Sequence, residues 1–231
     1  EAKAEEIKIK AEEKRLEREE KRNEKTKFKE LEDDYDDSLM DKVKRLKSLY
    51  NNGTLTNEPT FNSENLGSIV FDGVDDKVLT PFNDALGDFT ACAWFKKDSS
   101  INTYERIFDK NYISGFWVGR NSNNQNSWGG GVRESSSPFG RYVTLSEGDW
   151  HYIVSRRNGS THTILGDGIT NTVSGTVPTA LISTNSLRLA CSDQAAGDEF
   201  GGNLAIAKVY NRALSDSEVL QNYNALKNRF I

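Results

Sequence analysis

The stretch "DWHYIVSRRNGSTHTILGDG" (149–168) decides how the chain folds. In an extended segment its first half alternates, with Trp150, Tyr152 and Val154 on one side and His151, Ile153 and Ser155 on the other. Both sides carry apolar groups, so this strand is predicted to lie inside a sheet, with packing on each face. Asn158-Gly159 supplies the two residues that tolerate positive φ in a tight hairpin turn, and Asp167-Gly168 begins another. Between them "STHTILG" (160–166) runs back as the partner strand.

The same signature spreads outward. "GSIVFDG" (67–73), "DFTACAWFKK" (88–97), "ERIFDKN" (105–111), "GFWVGRNS" (115–122) and "SLRLACS" (186–192) are short and rich in β-branched and aromatic residues. Gly, Asn, Asp or Ser bounds each of them. Strands joined by hairpin turns, with no helices between them, indicate an antiparallel sandwich or barrel. The chain then closes on an amphipathic helix at 215–229. Ser215 followed three residues later by Glu218 is a capping box, and Val219, Leu220, Tyr223 and Leu226 form the expected buried stripe.

The first 50 residues differ in kind. They hold 15 Lys+Arg and 16 Asp+Glu, against 15 and 19 in the remaining 181. So charged a segment cannot bury a globular core, whereas residues 51–231 can. "AEEKRLEREEKRNEKTK" (11–27) has no Gly or Pro and reads as a polar helix. Residues 1–27 would extend about 40 Å as a spacer. From there Phe28, Leu31, Tyr35, Leu39, Val43 and Leu46 recur at helical spacing as an apolar stripe for oligomerisation or docking. Asn51-Asn52-Gly53 ends that helix. The expected organisation is a helical stalk or coiled coil at 1–50 and a mainly β domain at 51–231. Neither part is basic, which argues against nucleic acid as a partner. The sequence has no run of 18 apolar residues, so membrane insertion is not expected. Cys92 and Cys191 fit no metal or disulfide spacing and are expected as reduced thiols.

Candidate chemistry concentrates in "YISGFWVGRNSNNQNSWGGGVRESSSPFGRY" (112–142). Aromatic rings for stacking stand beside amides and guanidinium groups, the composition of a carbohydrate site. Tyr112, Trp128, Asn124, Gln125, Arg133 and Arg141 are the candidates, with Arg120 nearby. "NSNNQNS" followed by three glycines reads as a loop and turn. Trp128, beside those glycines, is the favoured sugar platform. Trp117 fits core or platform equally, and Trp94 and Trp150 are expected in the core. No Ser-His-Asp or Cys-His arrangement is readable from spacing. His151 and His162 lie in the hairpin strands, where a structural role is expected.

Three stretches carry a family resemblance: "GSIVFDGVDDKVLTP" (67–81), "FTACAWFKK" (89–97) with the opening hairpin, and "GNLAIAKVYNRALSDSEVLQNY" (202–223). Together they resemble the laminin-G-type concanavalin A-like domain, with "VYNRALSDSEV" the most specific element. "NNGTLTN" and "PTFNS" are similar to the openings of jelly-roll display modules in marine phage structural proteins. The resemblance implies a jelly-roll sandwich of one concave and one convex sheet, and does not reach the N-terminal rod. Laminarinase-like relatives cleave glucans with an E-x-D-x-x-E strand motif, which is absent from residues 51–231, so a non-enzyme is expected. Many relatives bind calcium through acids near the first strand and in the closing strand. Asp72, Asp75 and Asp76 are the candidates for the first set. Where relatives carry Asp-Glu in the closing strand, this chain has Ala205-Ile206, which puts the site in doubt. The implied function is a phage fibre or virion decoration, assembled in the host cytoplasm and exposed on the virion surface. Its head would adhere to host-surface glycans. Its N-terminal helix would trimerise or dock on other virion proteins. A glycan hydrolase and a purely architectural protein are the alternatives.

Overall fold

A computed structural model describes residues 53–98, 104–111, 113–120, 126–133, 140–169, 171–179, 182–192 and 197–231. The chain divides into two units, Glu1–Asn51 and Asn52–Ile231. The stalk and the stripe from Phe28 to Leu46 lie outside the described residues.

Fourteen strands are present among the described residues. In chain order they are β1 Thr54–Thr56, β2 Thr60–Asn62, β3 Ser68–Asp72, β4 Lys77–Leu79, β5 Phe89–Lys97, β6 Arg106–Lys110 and β7 Phe116–Arg120. Then follow β8 Ser127–Val132, β9 Gly140–Thr144, β10 Trp150–Asn158, β11 Thr161–Gly166, β12 Asn171–Thr176, β13 Arg188–Leu189 and β14 Gly201–Tyr210. They form two antiparallel sheets of seven strands: β1-β4-β13-β6-β7-β8-β9 and β12-β11-β10-β5-β14-β3-β2. The hairpin that opened the sequence reading is β10–β11, with Asn158 opposite Thr161. β10 lies between β11 and β5, inside its sheet as its two apolar faces require.

The sheets enclose a core that includes Phe71, Phe89, Phe95, Phe108, Phe116, Trp128, Ile153 and Ile164. A second apolar layer covers the outer face of the second sheet. There Cys92, Trp94, Tyr152, Val154 and Leu165 meet Leu214, Val219, Tyr223, Leu226 and Phe230 of the C-terminal segment. β5 is therefore buried on both faces, which explains its nearly continuous run of apolar residues. The two thiols are free and buried. Cys92 belongs to this second layer, and Cys191 follows β13 in the first sheet. Among the described residues no helix is long and apolar enough to cross a membrane.

The C-terminal helix departs from expectation. Its capping box is present: the Ser215 hydroxyl accepts from Glu218 N–H, and the Glu218 carboxylate accepts from Ser215 N–H at 2.9 Å. The single helix expected over 215–229 is instead two, α1 (Asp216–Asn224) and α2 (Lys227–Phe230), divided where Leu226 takes φ −126°. The break lets Phe230 stack on Trp94 at 4.6 Å while Tyr223 covers the same indole at 5.5 Å. Leu220 is 37% exposed rather than in the stripe. It lies 100° around the helix from fully buried Val219, at the margin of the buried face.

Candidate functional site

Alternation decides which side chains the first sheet presents outward. In β7, Phe116 and Val118 point into the core, so Trp117 points out. Trp117 pairs with Asp109 of β6 and Gly131 of β8, and Asp109 pairs with Arg188 of β13. One register step along, Gly119, Gly129 and Tyr142 are cross-strand neighbours. Trp117 and Tyr142 face each other across these glycines, ring centres 6.0 Å apart. The Arg106 guanidinium stacks 4.4 Å from the indole of Trp117. Backbone carbonyls of Tyr104, Glu105 and Arg120 fix it at 3.0–3.3 Å, and carboxylates of Asp109 and Asp198 lie 4.0 and 3.9 Å away. Asp109, Arg106 and Trp117 are nearly inaccessible, at 0%, 3% and 5% exposure, whereas Tyr142 and Arg188 are half-buried. The first three are a rigid foundation; the latter two are what a ligand would meet.

At one end of the sandwich a buried ionic cluster holds several segments together. Lys97 Nζ lies 3.1 Å from Glu105, both fully buried, and donates to the Asp98 carbonyl at 2.5 Å. Arg120 lies 3.5 Å from Glu105 and 3.6 Å from Glu147. Burial lowers the pKa of Lys97 and the charge of Glu105 opposes that shift.

Of the residues expected to bind sugar, Trp128, Arg133 and Arg141 are described, and each has different surroundings. Trp128 is a core residue with no exposure, packed on Phe95 at 4.6 Å and Phe200 at 6.2 Å, and offers no free face. The three glycines beside it are strand, not turn. A Cβ on Gly129 would overlap the Arg141 carbonyl oxygen and one on Gly130 that of Trp117, so only glycine fits these approaches. Arg141 reaches across to the second sheet and donates to the Thr176 carbonyl at 3.3 Å. Arg120 belongs to the ionic cluster. Tyr112, Asn124 and Gln125 lie outside the described residues. Arg133 is half-buried, and its N–H donates to the Gly115 carbonyl at 2.8 Å. Gly115 and Arg133 thus mark one end of the β7–β8 pair, and Arg120 and Ser127 the other, about 17 Å away.

The metal and catalytic candidates are likewise placed by register. Oxygens of Asp72, Asp75 and Asp76 come within 4.8 Å of one another. Asp72 is committed to its own turn, accepting from Val74 and Asp75 N–H at 2.8 and 3.3 Å, which lowers its pKa. Asp76 accepts from Asp72 N–H at 3.0 Å, and its other oxygen is buried without a hydrogen bond. Burial raises its pKa. Gly201 pairs with Asp72 and Leu204 with Ile69, so Ala205 stands about 13 Å along the strand from these acids. Position 205 is thus not beside these acids, and any ion they held would draw the rest of its six to eight oxygens from elsewhere.

A Ser-His-Asp connectivity that spacing did not reveal is present at Ser146, His151 and Asp167. His151 Nδ1 lies 2.8 Å from Asp167 and Nε2 lies 3.1 Å from the Ser146 hydroxyl. Nε2 also lies 3.0 Å from the Ser146 carbonyl, and the Ser146 hydroxyl donates to Asp149 at 3.0 Å. These contacts tie the connection before β10 to Asp167 and engage the hydroxyl with a carboxylate as well as with the imidazole. His162 meets Ser155 at 2.9 Å inside the sandwich. Burial first, then the charges of Arg141 and Arg157, push its pKa down to about 3.

Residues 72–220 match the family model described as the concanavalin A-like lectin/glucanases superfamily, Laminin_G_3. None of the curated proteins is a significant sequence match. Among solved structures, the binding domain of Paraclostridial Mosquitocidal Protein 1 is similar at TM-score 0.62 and 13% identity, covering 76% of this chain and 47% of that one. The chain thus spans about half the length of that protein. The native heptameric SAP-like pentraxin from Limulus polyphemus is similar at TM-score 0.55 and 15% identity, over 68% and 81% of the two chains. Domain 4 of AbnA, a GH43 extracellular arabinanase from Geobacillus stearothermophilus, in complex with arabinotriose, is similar at 0.50 and 14%, over 73% and 86%. At these identities the likeness is one of fold. With the family model spanning well over half of its residues, the chain belongs to the concanavalin A-like lectin/glucanases superfamily.

Proposed function

We propose that residues 51–231 form a non-enzymatic, lectin-like head that recognises glycans, carried on the surface of a phage particle as fibre or decoration by residues 1–50. The observation that carries this reading is the outward face of the first sheet. Half-buried Tyr142 and Arg188 flank the rigid foundation of Trp117, Asp109 and Arg106 on strands four places apart, Tyr142 beside Trp117 and Arg188 beside Asp109. An aromatic ring beside planar hydrogen-bonding groups on a stiff sheet suits a sugar, which offers an apolar face and a rim of hydroxyls. Tyr112, Asn124, Gln125 and Arg133 lie in the connections between β6, β7, β8 and β9, the strands that carry this face. Connections on a rigid scaffold are where binding groups concentrate. Domain 4 of AbnA, which shares the fold, is described with a bound oligosaccharide, and the toxin structure as a binding domain. Asp198 faces Arg106, and Glu199 accepts from Gly197 N–H at 2.7 Å, so both have partners within the chain.

A glycan array probed with the whole chain tests the reading. Tyr142→Ala and Arg188→Ala are expected to weaken any bound glycan at least about tenfold, the loss of one good contact, without lowering the melting temperature in step. An array without hits, or hits indifferent to both changes, would reject the site. Release of reducing sugar from a bound glycan would replace the lectin by a hydrolase. Localisation on particles by cryo-electron microscopy tests the virion setting separately.

A further inference from the structure

Asn65, Leu66 and Gly67 take φ of 50°, 64° and 103°, three successive left-handed residues of which only one is glycine. Side chains with a Cβ resist this region, so the turn needs something to hold it. That something is Arg229 of α2. Its Nε donates to the Asn65 carbonyl and its Nη2 to the Gly67 carbonyl at 2.6 Å, so the strained turn aims two oxygens at one guanidinium. The guanidinium also lies 4.7 Å from the ring of Phe230. Beside it opens a cavity of about 270 Å³, lined by Phe61, Leu66, Ser68, Ile69, Leu204 and Ala205.

Ala205 stands where the family resemblance implies a calcium-binding acid. The cavity lining contains no carboxylate. A divalent ion with six to eight oxygen ligands does not fit two carbonyls and apolar walls. A guanidinium does: it is always charged, needs only acceptors, and offers its donors as a planar fork. We infer that Arg229 is the resident cation of this rim, fastening the turn before β3 to the C-terminal segment in a calcium-independent way. With no carboxylate in the lining, a single positive charge held by two carbonyls is sufficient.

Hydrogen exchange of the full chain, read in the peptide covering residues 60–69, tests this. Exchange in wild type is expected to be the same in calcium and in chelator. Arg229→Met is expected to speed it roughly tenfold, the loss of a charge-assisted pair of hydrogen bonds, equally in both solutions. Arg229→Lys keeps the charge but loses the fork, and should fall between; it also serves if the Met variant fails to fold. Chelator-induced exchange in this peptide of the wild type would overturn the inference, and so would an Arg229→Lys chain that exchanges as wild type does. Any effect of metal on Asp72, Asp75 and Asp76 would be read separately, in the peptide covering residues 71–79.

Discussion

Glu105 lies within 3.5 Å of both Lys97 and Arg120, which are almost fully buried. Glu105→Gln removes the carboxylate shared by two buried cations, leaving Arg120 with Glu147 alone, and is expected to cost about 3–5 kcal/mol in urea denaturation. A cost below about 1 kcal/mol would show that the cluster relaxes into solvent. His162 sets a pH dependence of definite sign. Its pKa is about 3 in the folded chain and 6.5 when unexposed to these surroundings, so the unfolded chain binds more protons between those values. Stability is therefore fully present above about pH 6.5 and declines as pH falls toward 3, by at most about 1.4 kcal/mol per unit. His162→Gln should flatten this slope, and an unchanged slope would assign it to other groups. The burial of Trp128 shows where single-residue reading fails. Trp128 sits next to glycines that look like a turn, but those glycines are strand, and Trp128 pairs with inward-facing Val143. Only the cross-strand register reveals this, and the sequence does not carry it locally.

Elements were legible in proportion to their apolar periodicity. The β10–β11 hairpin has alternation and an Asn-Gly turn, and both survive in the structure. β8, β9 and β12 are built from Gly, Ser, Thr, Asn and Arg with few large apolar residues, so nothing marks them as strands until their neighbours pair with them. The start of α1 was legible because a cap is a local device; its break was not, because stacking on Trp94 is a tertiary cause. Ser215→Ala removes the cap and is expected to cost about 0.5–2 kcal/mol. Thermal melting followed by tryptophan emission reports it, since Trp94 lies beneath Tyr223 and Phe230. A melting temperature within error of wild type would mean that packing alone positions the helix.

For the whole molecule, the resemblance carried the sandwich and its closing helix, while the separation of Asp72 from Ala205 depended on the β3–β14 register. Assembly is still to be measured. Buried against sister chains, each large side chain of the stripe Phe28, Leu31, Tyr35, Leu39, Val43 and Leu46 contributes about 1.5–3 kcal/mol. The whole chain is expected to sediment as a homo-oligomer, a trimer by preference, and residues 51–231 alone as a cooperatively folded monomer. A monomeric whole chain, unchanged by Leu39→Asp and Val43→Asp, would leave the stripe as a docking surface for another protein. The two thiols, finally, give the molecule a pair of internal clocks. Cys92 and Cys191 are 1% and 3% exposed, in different layers, and burial pushes both above the usual thiol range, Cys191 to about 11. An alkylating reagent therefore waits for each layer to open. Cys92 should be labelled when the C-terminal helices lift, and Cys191 when the first sheet parts. Ser215→Ala should hasten the first clock and leave the second unchanged; if both accelerate together, the helices and the sandwich open as one unit.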